Sequence, residues 1–96
     1  MLWIKYVIKT KKDCVRTQED LFSKGYLWVG TGKGLWFPII EHWNENKSYL
    51  LTVNTETKRM FNDGFRSKGE ISSLIKALPH EEFIFYNQQL EFNFKE

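Results

Sequence analysis

The residue set closest to a reactive site is Gly30-Thr31-Gly32-Lys33-Gly34, which carries the glycines and the lysine of a phosphate-binding loop. Such a loop works when backbone amides and a helix N-terminus converge on phosphate oxygens. That needs the pattern G-x-x-x-x-G-K-[ST] between a strand and a helix. Here a glycine follows Lys33 where the hydroxyl residue belongs, and both flanks, YLWVG and LWFPII, are β-type. The spacing predicts a hairpin with Lys33 at its tip, and no nucleotide hydrolysis. His42 and His80 stand beside Glu41 and Glu81 in two separate polar stretches. A metal ion needs three or four ligands at defined spacing, and the single cysteine, Cys14, falls on a helical stripe away from both. No catalytic set, no metal site and no cofactor are expected, so the chain reads as a protein that is not an enzyme.

Aromatic residues offer a different chemistry. Trp28, Trp36, Phe37 and Trp43 surround the glycine hairpin and are interleaved with Lys33 and Lys47. Rings and ammonium groups in that mixture stack bases and hold phosphates, or act as hot spots in a protein interface. Sixteen large rings (four Trp, four Tyr and eight Phe) exceed what one small core hides. Trp28 alternates with Leu27 and Val29 and reads as core. The predicted contact surface is therefore Lys33, Trp36, Phe37, Trp43 and Lys47. A second surface is expected near residue 90, where Leu90, Phe92 and Phe94 share one face of a last strand. A sheet edge with three large apolar groups predicts self-association, as a two-fold homo-oligomer.

Charge narrows the partners. Fourteen Lys and Arg against twelve Asp and Glu leave a net charge of +2, which argues against a dedicated duplex-DNA binder. The clusters Lys9, Lys11, Lys12, Arg16 and Lys58, Arg59, Arg66, Lys68 read as solvated charge. A lone cysteine suits a reducing cytoplasm, and Cys14 reads as a buried, inert thiol. MLWIKYVIKTKK has charges inside its apolar run and no small-residue cleavage site, so it is not read as a signal peptide. No stretch approaches the roughly eighteen apolar residues of a membrane span, and no membrane partner is expected.

Periodicity supplies the elements that would position these groups. The 96 residues suit a single domain, residues 1–96. Residues 2–9 alternate with period two, and Trp3 and Val7 on the outer face imply that something packs there. Thr10 caps a helix over about 11–24, with Asp13 in a capping-box position and Gly25 after the last turn. YLWVG and LWFPII form a hairpin, 41–47 a loop, and SYLLTVN and KRMFN a second hairpin that ends at Asp63-Gly64. Ser67 and Glu70 box a second helix whose stripe is Ile71, Leu74, Ile75 and Leu78. Two runs from residue 83 onward complete the pattern. The expected fold is α+β: an antiparallel sheet of about four to six strands with two helices on one face.

From Thr10 to Gly64 the helix TQEDLFSKG, then GYLW, the glycine hairpin, SYLLTVN and a strand closing on NDG resemble small early-expressed proteins of tailed bacteriophages. The resemblance covers about half the chain and carries no site residue with it. Proteins of that kind mostly lack an assigned activity, and the resemblance implies one working in the host cytoplasm. Several proteins of that kind block host defence by binding a protein or a signalling nucleotide. The leading expectation is thus an inhibitor that sequesters a host cytoplasmic protein. The alternative is a binder of a nucleotide signal or of single-stranded nucleic acid.

Overall fold

The computed structural model describes residues 3–30 and 40–86. Along the chain these form β1 (Trp3–Ile8), α1 (Lys11–Ser23), β2 (Leu27–Trp28), β3 (Ser48–Asn54), β4 (Arg59–Arg66), α2 (Lys68–Ala77) and β5 (Glu82–Tyr86). The fold is α+β, and the strands make one sheet in the order β2-β4-β3-β1-β5. The sheet is mixed rather than wholly antiparallel. β3 runs antiparallel to β1 and β4, whereas β5 is parallel to β1 and β2 is parallel to β4. Among the described residues four strands therefore point one way and β3 opposes them. The described partner of β2 is β4, and the hairpin expected with the LWFPII run falls outside the described residues. Thr31 to Ile39, with Lys33, Trp36 and Phe37, lie outside the described residues, as do Leu90, Phe92 and Phe94.

Both helices begin and end where side-chain chemistry says they should. The Thr10 hydroxyl accepts from the Asp13 amide at 3.1 Å. The Asp13 carboxylate does not return the bond: it is fully buried, without a hydrogen-bond partner among the described residues, and lies 3.6 Å from Arg16. Aspartate is one methylene shorter than the glutamate of a full capping box. At the other end Gly25 takes φ +93°. The Tyr26 amide donates to Leu21 and the Gly25 amide to Phe22, each at 3.0 Å, closing a Schellman motif. In α2 the box is complete: Glu70 accepts from the Ser67 amide at 2.7 Å and Ser67 from the Glu70 amide at 3.2 Å.

The helices lie on opposite faces of the sheet, which corrects the expectation of one face. α1 contributes Cys14 and Leu21 to a core with Ile8, Tyr49, Leu51, Val53 and Met60. α2 contributes Ile71 to a second cluster with Val7 and Leu50, flanked by Leu74 and Phe83. Neighbouring residues in a strand point to opposite faces, so Val7 and Ile8, or Leu50 and Leu51, serve different helices. The cause is chirality. The connection β1-α1-β2 crosses the sheet in one direction, and β4-α2-β5 crosses it in the other. Connections between parallel strands are right-handed, and right-handed crossovers of opposite direction need opposite faces. The packing on Val7 implied by its outward position in β1 is α2.

The α1 side also holds an unpaired polar atom. Tyr49 is fully buried, and its hydroxyl has no hydrogen-bond partner among the described residues. Burial drives its ionisation far above the ordinary tyrosine range. A buried hydroxyl without a partner opposes folding. Tyr49→Phe is expected to hold or raise stability, by up to about 1 kcal/mol. Urea unfolding checks this, and a clear loss would show that the hydroxyl is bonded.

Candidate functional site

The strand directions concentrate charge at one end of the sheet. β1, β4 and β5 finish there, β3 starts there, and both helices begin there. Lys9 follows the last residue of β1, Lys47 precedes the first residue of β3, and Lys68 opens α2. Phe85 of β5 stands beside Val7 of β1 in the parallel register. Together they border a groove of about 450 Å³ between α2 and the sheet. Val7, Ile71, Ile75 and Phe85 are its apolar walls, and Lys9, Lys47 and Lys68 its rim. No carboxylate is among its described lining residues. Ile75 is 38% and Phe85 46% exposed, so the apolar walls remain open to a partner.

A second cavity, also of about 450 Å³, adjoins the first through Lys9. Thr10, Lys11, Lys12, Trp43 and Glu45 complete its lining. Trp43 is half-buried and reaches both the cavity and the core. Its indole N–H donates to the Lys9 carbonyl at 3.3 Å. Its ring meets Phe65 edge-on at 5.0 Å and Tyr49 at 5.9 Å. The indole thereby fixes the backbone on which Lys9 is mounted.

Of the residues expected at a contact surface, Trp43 and Lys47 are brought to these adjoining cavities. Lys33, Trp36 and Phe37 lie outside the described residues. Lys9, Lys68, Ile75 and Phe85 were not anticipated there. The two lysines read as solvated charge and Ile75 as part of a core stripe. A usable signal was present, because Lys9 and Lys68 each stand at a strand-to-helix junction. Such junctions gather at one end of a sheet when the strands are parallel, which is where ligands of open α/β sheets bind.

Cys14, His42 and His80 line neither cavity. Cys14 is fully buried, and desolvation pushes its thiol up to about 11 against a hydrogen bond from Gln18. Gln18 also accepts from the Trp28 indole at 3.0 Å. His42 and His80 are both exposed. No cluster of three His, Cys, Asp or Glu able to hold a metal occurs among the described residues. No helix among them is long and apolar enough to cross a membrane.

Beneath α2, Lys5 donates to Thr52 at 3.0 Å and to Asp63 at 2.8 Å, and Glu81 lies at 3.6 Å. Thr52 also donates to Asp63. The strand that carries Asp63 corrects the expected second hairpin. β4 does not stop at Asp63-Gly64 but runs on to Arg66 through a bulge opposite Leu50. Gly64 at φ +80° carries the bulge, and the extra residue turns Phe65 to the α1 side, where its ring meets Tyr49 at 5.3 Å.

The chain matches no family model, no curated protein and no solved structure.

Proposed function

We propose that this chain is a non-enzymatic binding protein whose working surface is the lysine-rimmed groove between α2 and β5. Its partner carries negative charge beside an apolar or aromatic part. The observation that supports this is the lining itself: three ammonium groups, no described carboxylate and exposed Phe85 and Ile75 beside them. Ammonium groups at the rim attract an anion over a distance set by ionic strength. The apolar walls then add contact area that salt does not screen. Retention on heparin resin tests the charge. Lys68→Glu is expected to elute the protein at clearly lower salt than the unaltered chain. Equal elution would remove the groove as the anion site.

Sequestration of a host cytoplasmic protein, the function the bacteriophage resemblance implies, is a second reading favoured by Ile75 and Phe85 standing exposed across one groove. Aromatic side chains such as Phe85 are enriched at the buried centre of protein interfaces. Its mark is capture of one bacterial protein that resists high salt and is lost in Phe85→Ala. Capture unaffected by that substitution would place any such interface elsewhere.

A further inference from the structure

We infer that the groove and its neighbour form one track for a short single-stranded nucleic acid, with phosphates along the lysines and a base stacked on Phe85. This rests on the groove being the anion site and goes further by naming the ligand. The first ground is extent. Two cavities of similar volume share Lys9, so the basic surface continues past the groove toward Lys11 and Lys12. One anionic group needs a single cavity, whereas a chain of phosphates needs a line of charges. Five lysines border this line, and Glu45 is the one carboxylate among the described lining residues. The second ground is the pairing of charge with a ring. Phe85 is 46% exposed at the wall of the charged groove. An acidic peptide would use the lysines and leave the ring idle. A nucleotide uses both, because every base has a face that stacks on an aromatic side chain.

Strand direction adds a third ground. α1 and α2 both start at this end of the sheet, so the positive ends of two helix dipoles reinforce the lysines. Glu70 is turned to the Ser67 amide, whose hydrogen bond holds its carboxyl below the ordinary range, and it does not line either cavity. Concavity selects the form of the ligand. A groove between a helix and a sheet edge admits a flexible strand with splayed bases and excludes a rigid duplex. The modest net charge of +2 agrees, since this site needs only local excess.

Fluorescence anisotropy with the full chain and a labelled oligothymidylate of about eight nucleotides tests the inference. The strand is expected to bind, more weakly as salt rises, and more tightly than thymidine monophosphate or a duplex of equal length. Phe85→Ala is expected to weaken binding about tenfold. Lys68→Glu in the groove and Lys11→Glu in the second cavity should each weaken it too. Thermal melting monitors folding, and Lys68→Gln and Lys11→Gln repeat the charge test with less perturbation. If the monophosphate binds as tightly as the strand and Lys11→Glu has no effect, the track is overturned and the groove remains. If polyglutamate binds and loses affinity in Lys68→Glu while the strand does not bind, nucleic acid is overturned and the groove again remains. If neither polyanion binds, both readings fall together.

Discussion

Leu50→Ala and Leu51→Ala, made separately, are each expected to cost about 2–5 kcal/mol, the range for emptying a buried leucine site. Both side chains are fully buried. Leu50 packs with Val7 and Ile71 below α2, and Leu51 with Ile8, Cys14 and Leu21 below α1. Two large losses at consecutive positions of one strand require a sheet covered on both faces. A sheet covered on one face would leave one of the leucines solvated, and its truncation would fall within about 0.5 kcal/mol. Urea unfolding separates the cases. One large and one negligible value would return the helices to a single face.

The pair also shows where the amino-acid pattern was informative. Ser48 to Asn54 was legible as a strand, because Tyr49, Leu51 and Val53 alternate on one side and a turn follows. Caps were legible for the same local reason. Thr10, Gly25 and the Ser67–Glu70 box act within a few residues, and the structure forms the capping bonds expected of them except the return bond from Asp13. Sheet order was not legible. A β5 strand that pairs in parallel with β1 leaves no local mark distinguishing it from one arm of a terminal hairpin, and parallel pairing needs a crossover helix rather than a turn. The face of each helix depends on that order and was misread with it. Asp63-Gly64 failed for a related reason: the dipeptide signals a turn, yet glycine with positive φ serves equally in a bulge.

The candidate site was half legible by the same measure. Trp43 and Lys47 stood out as a ring and a charge in a polar loop, and both reach the cavities. Lys9, Lys68 and Phe85 are 17 residues or more from one another along the chain, and only the parallel directions of β1, β4 and β5 gather them. No spacing rule spans such separations. What the sequence did offer was the junction position of Lys9 and Lys68, which gains meaning once two crossovers are recognised.

Lys5→Met is expected to lower stability by about 2–4 kcal/mol near neutral pH, and the loss should shrink on acidification. Lys5 is nine-tenths buried and holds two carboxylates, Asp63 at 2.8 Å and Glu81 at 3.6 Å. Removing one partner of a buried pair leaves charge without compensation, at about 3–5 kcal/mol. The Asp63 side chain is 33% exposed, so water screens part of that cost and the lower figure applies. Burial pushes the Asp63 carboxyl upward, but hydrogen bonds from Lys5 and Thr52 outweigh it and hold the group below its ordinary value. A carboxyl lowered on folding contributes stability that is complete above its unfolded value, about 4. That contribution is lost as pH falls through the folded value. In Lys5→Met the lowering shrinks, because the chief hydrogen-bond donor is gone and only Thr52 and Arg66 still favour the carboxylate. The unaltered protein therefore loses more than the variant as acid is added, and their stabilities converge below about pH 4. Asp63→Asn removes the ionisation and should show a flatter acid limb than the unaltered chain. Urea unfolding of the three proteins between neutral pH and pH 3 measures both effects. A Lys5→Met loss that is independent of pH would mean that the methylene stem, packed beside Phe83, supports the fold and the ion pair does not.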